Sequence, residues 1–177
     1  GVVLPRVVGD RELPRLRREL EAARQAGVTQ ALLGHIGQLP LARSFGLIPR
    51  GDFGLGLTND ETAAELARLG FASATASFES RLAQIRDLSK PLDLELLVYG
   101  RLPLMLMEHC ILRNRGQGCH CQDKPQSLGD RKGEHFPVES AWGCRNELFN
   151  AKPLWLADKT DWRTAGAAYA RLAFLRE

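Results

Sequence analysis

A chain of 177 residues, 44% hydrophobic and 25% charged, is long enough for one real core, and its composition excludes disorder as the default state. Its 24 Lys and Arg are scattered among 21 Asp and Glu, so the formal charge of +3 permits nucleic-acid contact without demanding it. No run approaches the roughly 18–20 apolar residues of a membrane helix, and no signal-peptide pattern opens the chain, so a cytoplasmic protein without membrane contact is expected. The chain starts at Gly1 rather than at a methionine, which suggests a piece of a longer protein whose true start lies outside it.

In chain order, short β-prone runs recur at residues 2–8, 30–33, 47–57, 71–75 and 94–99, each separated from the next by a helical stretch. The first helix spans 12–25, where Leu13, Leu16, Leu20 and Ala23 fall at helical spacing among charges and Gly27 closes the last turn. A shorter helix covers 39–45. Asn59 or Asp60 caps the next, with Ala63, Leu66 and Ala67 inward and Gly70 ending it; Ser77 caps a fourth, with Leu82, Ile85 and Leu88 as its stripe and Lys90–Pro91 as its stop. Alternating strands and helices favour one parallel sheet in sequential order, an α/β fold. Four units in about 100 residues make half of a closed barrel, which needs about 250. The sheet should therefore stay open, with an exposed apolar edge at its first strand.

After Tyr99 the periodicity dissolves. Residues 101–107 read as one more buried strand, 133–138 and 154–157 as later strands, and 165–175 as a last helix. The expected organisation is a partial β/α barrel over 1–108, a cysteine-rich segment over 109–150 and a C-terminal strand and helix over 151–177.

The polar stretch holds every cysteine. Cys110 directly follows the strand at 101–107, Cys119 and Cys121 lie nine and eleven residues later, and Cys144 a further 23 along. In a reducing compartment such crowding points to metal or redox chemistry rather than disulfides, whereas an exported protein would reverse the odds. Four sulfurs suit zinc or an iron–sulfur cluster. A strand-end cysteine, a tight C-x-C and a distant fourth are irregular for a zinc ribbon, so a cluster is the preferred occupant and zinc the alternative; four ordinary thiols are the plain reading. His109 or His120 could replace one sulfur. Arg113, Arg115, Arg131, Lys132 and Arg145 lie near the cysteines in sequence, where cations would stabilise thiolates or hold an anionic substrate. Of these, Arg113, Arg131 and Arg145 are the candidate substrate-binding residues.

Glu108 and His109, placed at the end of an expected barrel strand, are the candidate acid and base, or else hydrogen-bond the cysteine loop. Asp52, Asn59 and His35 also sit at strand ends; Asp52 could reach substrate, while a cap suits Asn59 and a structural role His35. Gly51, Gly54 and Gly56 do not complete a phosphate-loop fingerprint. Trp142, Trp155 and Trp162 read as packing residues.

With these residues in hand, YGRLPLMLMEHCILRN, then GDRKGEHFPV, GCRNELFN and AKPLWL, with IPRGDFGLGLTND upstream, resembles the collagenase-like peptidase family, also called peptidase family U thirty-two. The resemblance covers most of the chain and is specific over 99–156. It implies that residues 2–107 are the later strands of a TIM-type barrel, completed by a missing N-terminal portion or a partner chain. It also implies a 4Fe-4S cluster held by Cys110, Cys119, Cys121 and Cys144. The tight C-x-C departs from the family's pattern, in which another cysteine precedes the strand-end one, so which of Cys119 and Cys121 ligates stays open. The family name implies a peptidase acting on collagen-like or other peptides, yet no Ser-His-Asp, Cys-His or H-E-x-x-H arrangement is present. Other members resemble oxygen-independent hydroxylation factors acting on RNA or a small aromatic precursor, chemistry that uses a cluster's electrons. A non-catalytic binding or assembly subunit is the third expectation.

Overall fold

The computed structural model describes residues 1–113, 125–156 and 158–175. The chain divides into two compact units, residues 1–98 with 158–171, and 99–157 with 172–177. Among the described residues no helix is long and apolar enough to cross a membrane.

The first unit is mixed α/β, built on a curled parallel half-barrel sheet. Strands β1 (Val2–Val3), β2 (Gln30–Leu33), β3 (Ile48–Gly51), β4 (Ser73–Thr75) and β5 (Asp93–Gly100) pair parallel in sequential order. The expected topology is therefore found, with three strands shorter than expected. The run at 2–8 is extended in pairing only at its start, and 47–57 turns after Gly51 through a single 3-10 turn, Phe53–Leu55. β1 pairs with β2 alone among the described residues, and Val3 is largely exposed on that edge.

Helices α1 (Leu13–Gln25), α2 (Leu39–Ser44), α3 (Asp60–Arg68) and α4 (Leu82–Asp87) connect these strands. Three of them end alike. After α1, Gly27 takes φ +83°, its N–H donates to Arg24 and that of Val28 to Ala23. Gly46 and Gly70 repeat this pair of bonds after α2 and α3, so each left-handed glycine satisfies orphan carbonyls and turns the chain into a strand. Asn59 caps α3 as expected, accepting from Thr62 N–H at 2.8 Å. Ser77 does not cap α4; its hydroxyl serves Glu79 N–H, and the helix starts only after Arg81, whose N–H donates to Gln84.

The apolar side of each helix meets one face of the sheet. Leu16, Leu20, Ala63, Leu66 and Ile85 are buried, as are Ala31, Leu33, Ala74, Leu94, Leu96 and Val98 on alternate strand positions. Each leucine so buried contributes about 1.5–3 kcal/mol. The other set of alternate positions includes Gln30, Arg50, Ser73, Thr75, Asp93 and Glu95, and it carries the features described below.

Residues 165–175 do not form the expected helix. A 3-10 segment, Thr160–Ala165, ends at Gly166, and Tyr169–Ala173 is strand β11, paired with β5. The Ala168 N–H donates to the Leu94 carbonyl, while the neighbouring Glu95 carbonyl accepts from Ala76 on the β4 side. Successive carbonyls of a strand point to opposite edges, so β11 fills the edge of β5 that β4 leaves open. An alanine-rich stretch with good helix propensity is overridden by that unsatisfied edge.

The second unit contains an antiparallel sheet in the order β6 (Pro103–Met107), β9 (Arg145–Phe149), β8 (His135–Ala141), β7 (Gln126–Gly129). Residues 101–107 are thus not a further buried barrel strand. β6 pairs antiparallel with β9, and Leu104 and Met105 are half exposed. Within this unit Tyr99 and Gly100, the end of β5, pair with β10 (Leu154–Trp155), and the Tyr99 ring packs 5.3 Å from Trp155 and 5.2 Å from Phe174.

Candidate functional site

The antiparallel pairing decides which cysteines can meet. Met107 pairs with Asn146 at one end of the β6–β9 pair. Cys110 lies three residues beyond Met107 and Cys144 two residues before Asn146, so two thiols 34 positions apart emerge at the same strand end. A direct bond closes this corner: the Ile111 N–H donates to Asn146 Oδ1 at 2.8 Å. Asn146 is fully buried and its Nδ2 reaches the Arg145 carbonyl at 3.2 Å, so both ends of the amide are used. Cys110 is half-buried, Cys144 is exposed, and both are free thiols.

Cys144 ends the three-residue reversal Trp142–Cys144 between β8 and β9. Gly143 takes φ +72° at no steric cost, but Cys144 adopts φ +60°, which for a residue with a Cβ costs about 1 kcal/mol or more. Among the described residues it is the one non-glycine residue so placed.

Arg145 and Glu108 border the same corner. The Arg145 guanidinium is nearly buried; its Nε donates to Glu108 Oε1 at 2.7 Å and its Nη1 to the Trp142 carbonyl at 3.1 Å. The arginine expected to bind substrate is thus tied to a carboxylate expected to act as acid or base. Glu108 and His109 follow β6, so they do not stand at the end of a parallel strand; both are exposed. Arg113 is exposed beyond Leu112, which is buried. Arg131 is elsewhere. It sits in the β7–β8 hairpin, where Asp130 accepts from the N–H groups of Lys132 and Glu134, and the length of β8, roughly 20 Å, separates that hairpin from Cys144. Cys119, His120, Cys121 and Arg115 lie outside the described residues. The described residues flanking them, Arg113 and Gln126, both lie toward the cysteine end, since Gln126 pairs with Val138 on the Ala141 side of the hairpin. Among the described residues, no group of three or more His, Cys, Asp or Glu could hold a metal ion.

In the first unit, the polar face of the sheet assembles a network that sequence reading did not foresee. Arg50 reaches Gln30 Oε1 at 2.7 Å and the Ser73 hydroxyl at 2.8 Å, and its guanidinium lies 5.2 Å from the Tyr169 ring. The Tyr169 hydroxyl donates to Asp93 at 3.0 Å. One layer further along the strands, Arg171 Nη1 donates to Asp52 Oδ1 at 2.6 Å, and its Nη2 bonds the Thr75 hydroxyl at 2.9 Å and the Glu95 carboxylate. Asp52 is buried, and its Oδ1 also accepts from the Phe53 N–H at 2.9 Å, which gives it a structural role in this network. β11 and β3 are three strand positions apart, about 14 Å in a flat sheet. Direct contact between Arg171 and Asp52 requires the sheet to curl with this polar face inside.

Arg171 was hidden inside an expected helix, although the alternation of Tyr169, Arg171 and Ala173 carried a period-two signal. Asn59 and His35 play local roles. Asn59 caps α3, and His35 Nδ1 accepts from the Gly37 N–H at 3.0 Å. Comparison with protein-family models, with curated proteins and with solved structures finds no match to this chain.

Proposed function

We propose that this chain is a thiolate-ligated iron–sulfur protein of the collagenase-like peptidase type, acting in oxygen-independent hydroxylation of RNA or a small aromatic precursor. In this reading the half-barrel sheet is the later part of a TIM-type barrel, completed by an N-terminal portion or a partner chain. The observation that carries it is the delivery of Cys110 and Cys144 to one strand end. The flanks of the segment holding Cys119 and Cys121 lie toward the same end. The left-handed Cys144 supports it, because a strained residue that could be replaced by glycine or asparagine has a reason to be cysteine.

The described residues fit soft-metal ligation: two free thiols, one half-buried and one exposed, at the same strand end. Cys110, Cys144 and one or both of Cys119 and Cys121 would hold the cluster. When bound, a 4Fe-4S cluster would pass electrons one at a time to an acceptor, a path that hydroxylation, a two-electron oxidation of the substrate, can use and peptide hydrolysis does not need. Asn146 fixes the backbone beside Cys110, and Glu108 with the Trp142 carbonyl fixes Arg145 beside Cys144.

The test is anaerobic purification of the full chain with iron, sulfide and zinc analysis. The expected result is about four irons and four sulfides per chain with visible absorption, lost in both Cys110→Ser and Cys144→Ser. Folded protein that takes up neither iron nor sulfide on reconstitution overturns the reading, and stoichiometric zinc replaces the cluster with a zinc site.

A further inference from the structure

The first unit also contains a cleft of about 560 Å³ that the cysteine chemistry does not use, within the usual size range of small-molecule sites. It opens between the connections that follow β1 and β2, at the carboxyl ends of two parallel strands, where such sheets place their ligands. One wall is apolar: Val7, Val8, Leu13 and Leu16 face Pro40 and Leu41. The charged groups on its lining are Arg6 and Arg17, with His35 beside them, and no carboxylate lines it.

The cleft is built rather than accidental. Gln38 is buried and spends its whole amide on holding the two connections together: Oε1 accepts from the N–H groups of Gly34 and His35, and Nε2 donates to the Pro5 carbonyl at 2.5 Å. The Arg6 guanidinium is held over the Phe53 ring, 4.9 Å from its centroid, which orients a cation at the cleft wall. Arg17 is exposed on α1 and makes no hydrogen bond or ion pair among the described residues. His35 Nδ1 is already engaged by the Gly37 N–H.

We propose that this cleft binds an organic oxyanion with an apolar body, a carboxylate or phosphate monoester whose charged head meets Arg17 and Arg6 and whose body lies on the Val7, Val8 and Leu41 wall. Guanidinium groups bind either head bidentately, and an apolar surface beside them excludes bare inorganic anions as the best ligands. The residues lining the cleft belong to the first unit and include no cysteine, so the proposal does not depend on a metal.

Octanoate, octyl phosphate, octanamide and inorganic phosphate are titrated into the full chain while the methyl resonances of Val7, Val8, Leu13 and Leu41 are followed by NMR. The two amphipathic anions should give saturable shifts confined to these methyls, with octanamide and inorganic phosphate each at least tenfold weaker. Arg17→Gln, a change on an exposed helix surface, should weaken octanoate about tenfold while leaving octanamide and the thermal melt unchanged. The proposal is overturned if octanamide matches octanoate, if inorganic phosphate matches octyl phosphate, if Arg17→Gln leaves octanoate affinity intact, or if no saturable shift occurs.

Discussion

Arg171 and Arg145 each close an ion pair between strands far apart in sequence, yet their surroundings differ. Arg171 meets two carboxylates, Asp52 and Glu95, with all three side chains a fifth exposed or less. Arg145 is buried to a similar degree, but the carboxylate it meets, Glu108, is 72% exposed. A guanidinium between two buried carboxylates is saturated and can only hold strands together. A buried guanidinium paired with a mostly solvated carboxylate should depend less on that carboxylate, whose charge is already screened by water. The first centre closes a sheet; the second fixes the turn beside Cys144.

The largest effect should follow from breaking the saturated centre. Arg171→Met leaves Asp52 and Glu95 facing each other without a cation, and removing one partner of a buried pair costs about 3 kcal/mol or more. Urea unfolding should show that loss. Adding Asp52→Asn and Glu95→Gln to the same chain should recover much of it, because the uncompensated charge, not the missing contact, is the main cost. A loss below about 0.5 kcal/mol would mean that solvent reaches the carboxylates and the clasp is a surface feature.

The contrast between these centres also explains what could be read in advance. The parallel order was legible because short apolar, β-prone runs recur between helical stretches and a glycine marks the end of three helices, both local signals. The strand at 169–173 was not, since Ala165, Ala167, Ala168 and Ala170 favour a helix and only the open edge of β5, set by a distant part of the chain, selects a strand. Arg131 was grouped with the cysteines by its position in sequence, but a hairpin carries it to the far end of β8. Cys110 and Cys144 were grouped on the same reasoning, and there an antiparallel pairing brings the two stretches together. Nearness in sequence does not distinguish these cases; strand register does.

Next in size is Asn146→Ala. It removes the acceptor of the Ile111 N–H in a buried position, which costs about 1–3 kcal/mol. The informative measurement is thiol labelling of the folded protein. Cys110, now half-buried, should react several-fold faster once its neighbour is released, while Cys144, fixed by its own reversal, should keep its rate. Equal acceleration at both would show that the reversal depends on Asn146 and that the corner is one unit.

Glu108→Gln should cost less, about 1 kcal/mol, because the partner it removes is mostly solvated even though the arginine is not. The comparison is sharpened by measuring the variant with and without bound cluster. If the cluster's negative charge takes over Arg145, the loss should shrink in the loaded protein. An equal loss in both states would leave Arg145 with a purely structural role.

The smallest effect belongs to the same two chemical groups in open water. On α3, Arg68 Nη2 and Glu65 Oε1 are 2.6 Å apart, but their side chains are 70% and 50% exposed. The hydrogen bond from Arg68, aided by its charge, holds the Glu65 carboxyl below its ordinary 4.5. A carboxyl lowered by folding adds stability that is complete above its unfolded value and disappears as pH falls through the folded one. Glu65→Gln should therefore lower the melting temperature slightly near pH 7, and the difference from wild type should disappear as pH falls below 4.5 and through the lowered folded value. It should also vanish in about 1 M salt, which screens exposed charges within a few ångströms. A difference that persists under both conditions would place its origin in helix packing, and the ranking of the three arginine centres by burial would then have to be redrawn.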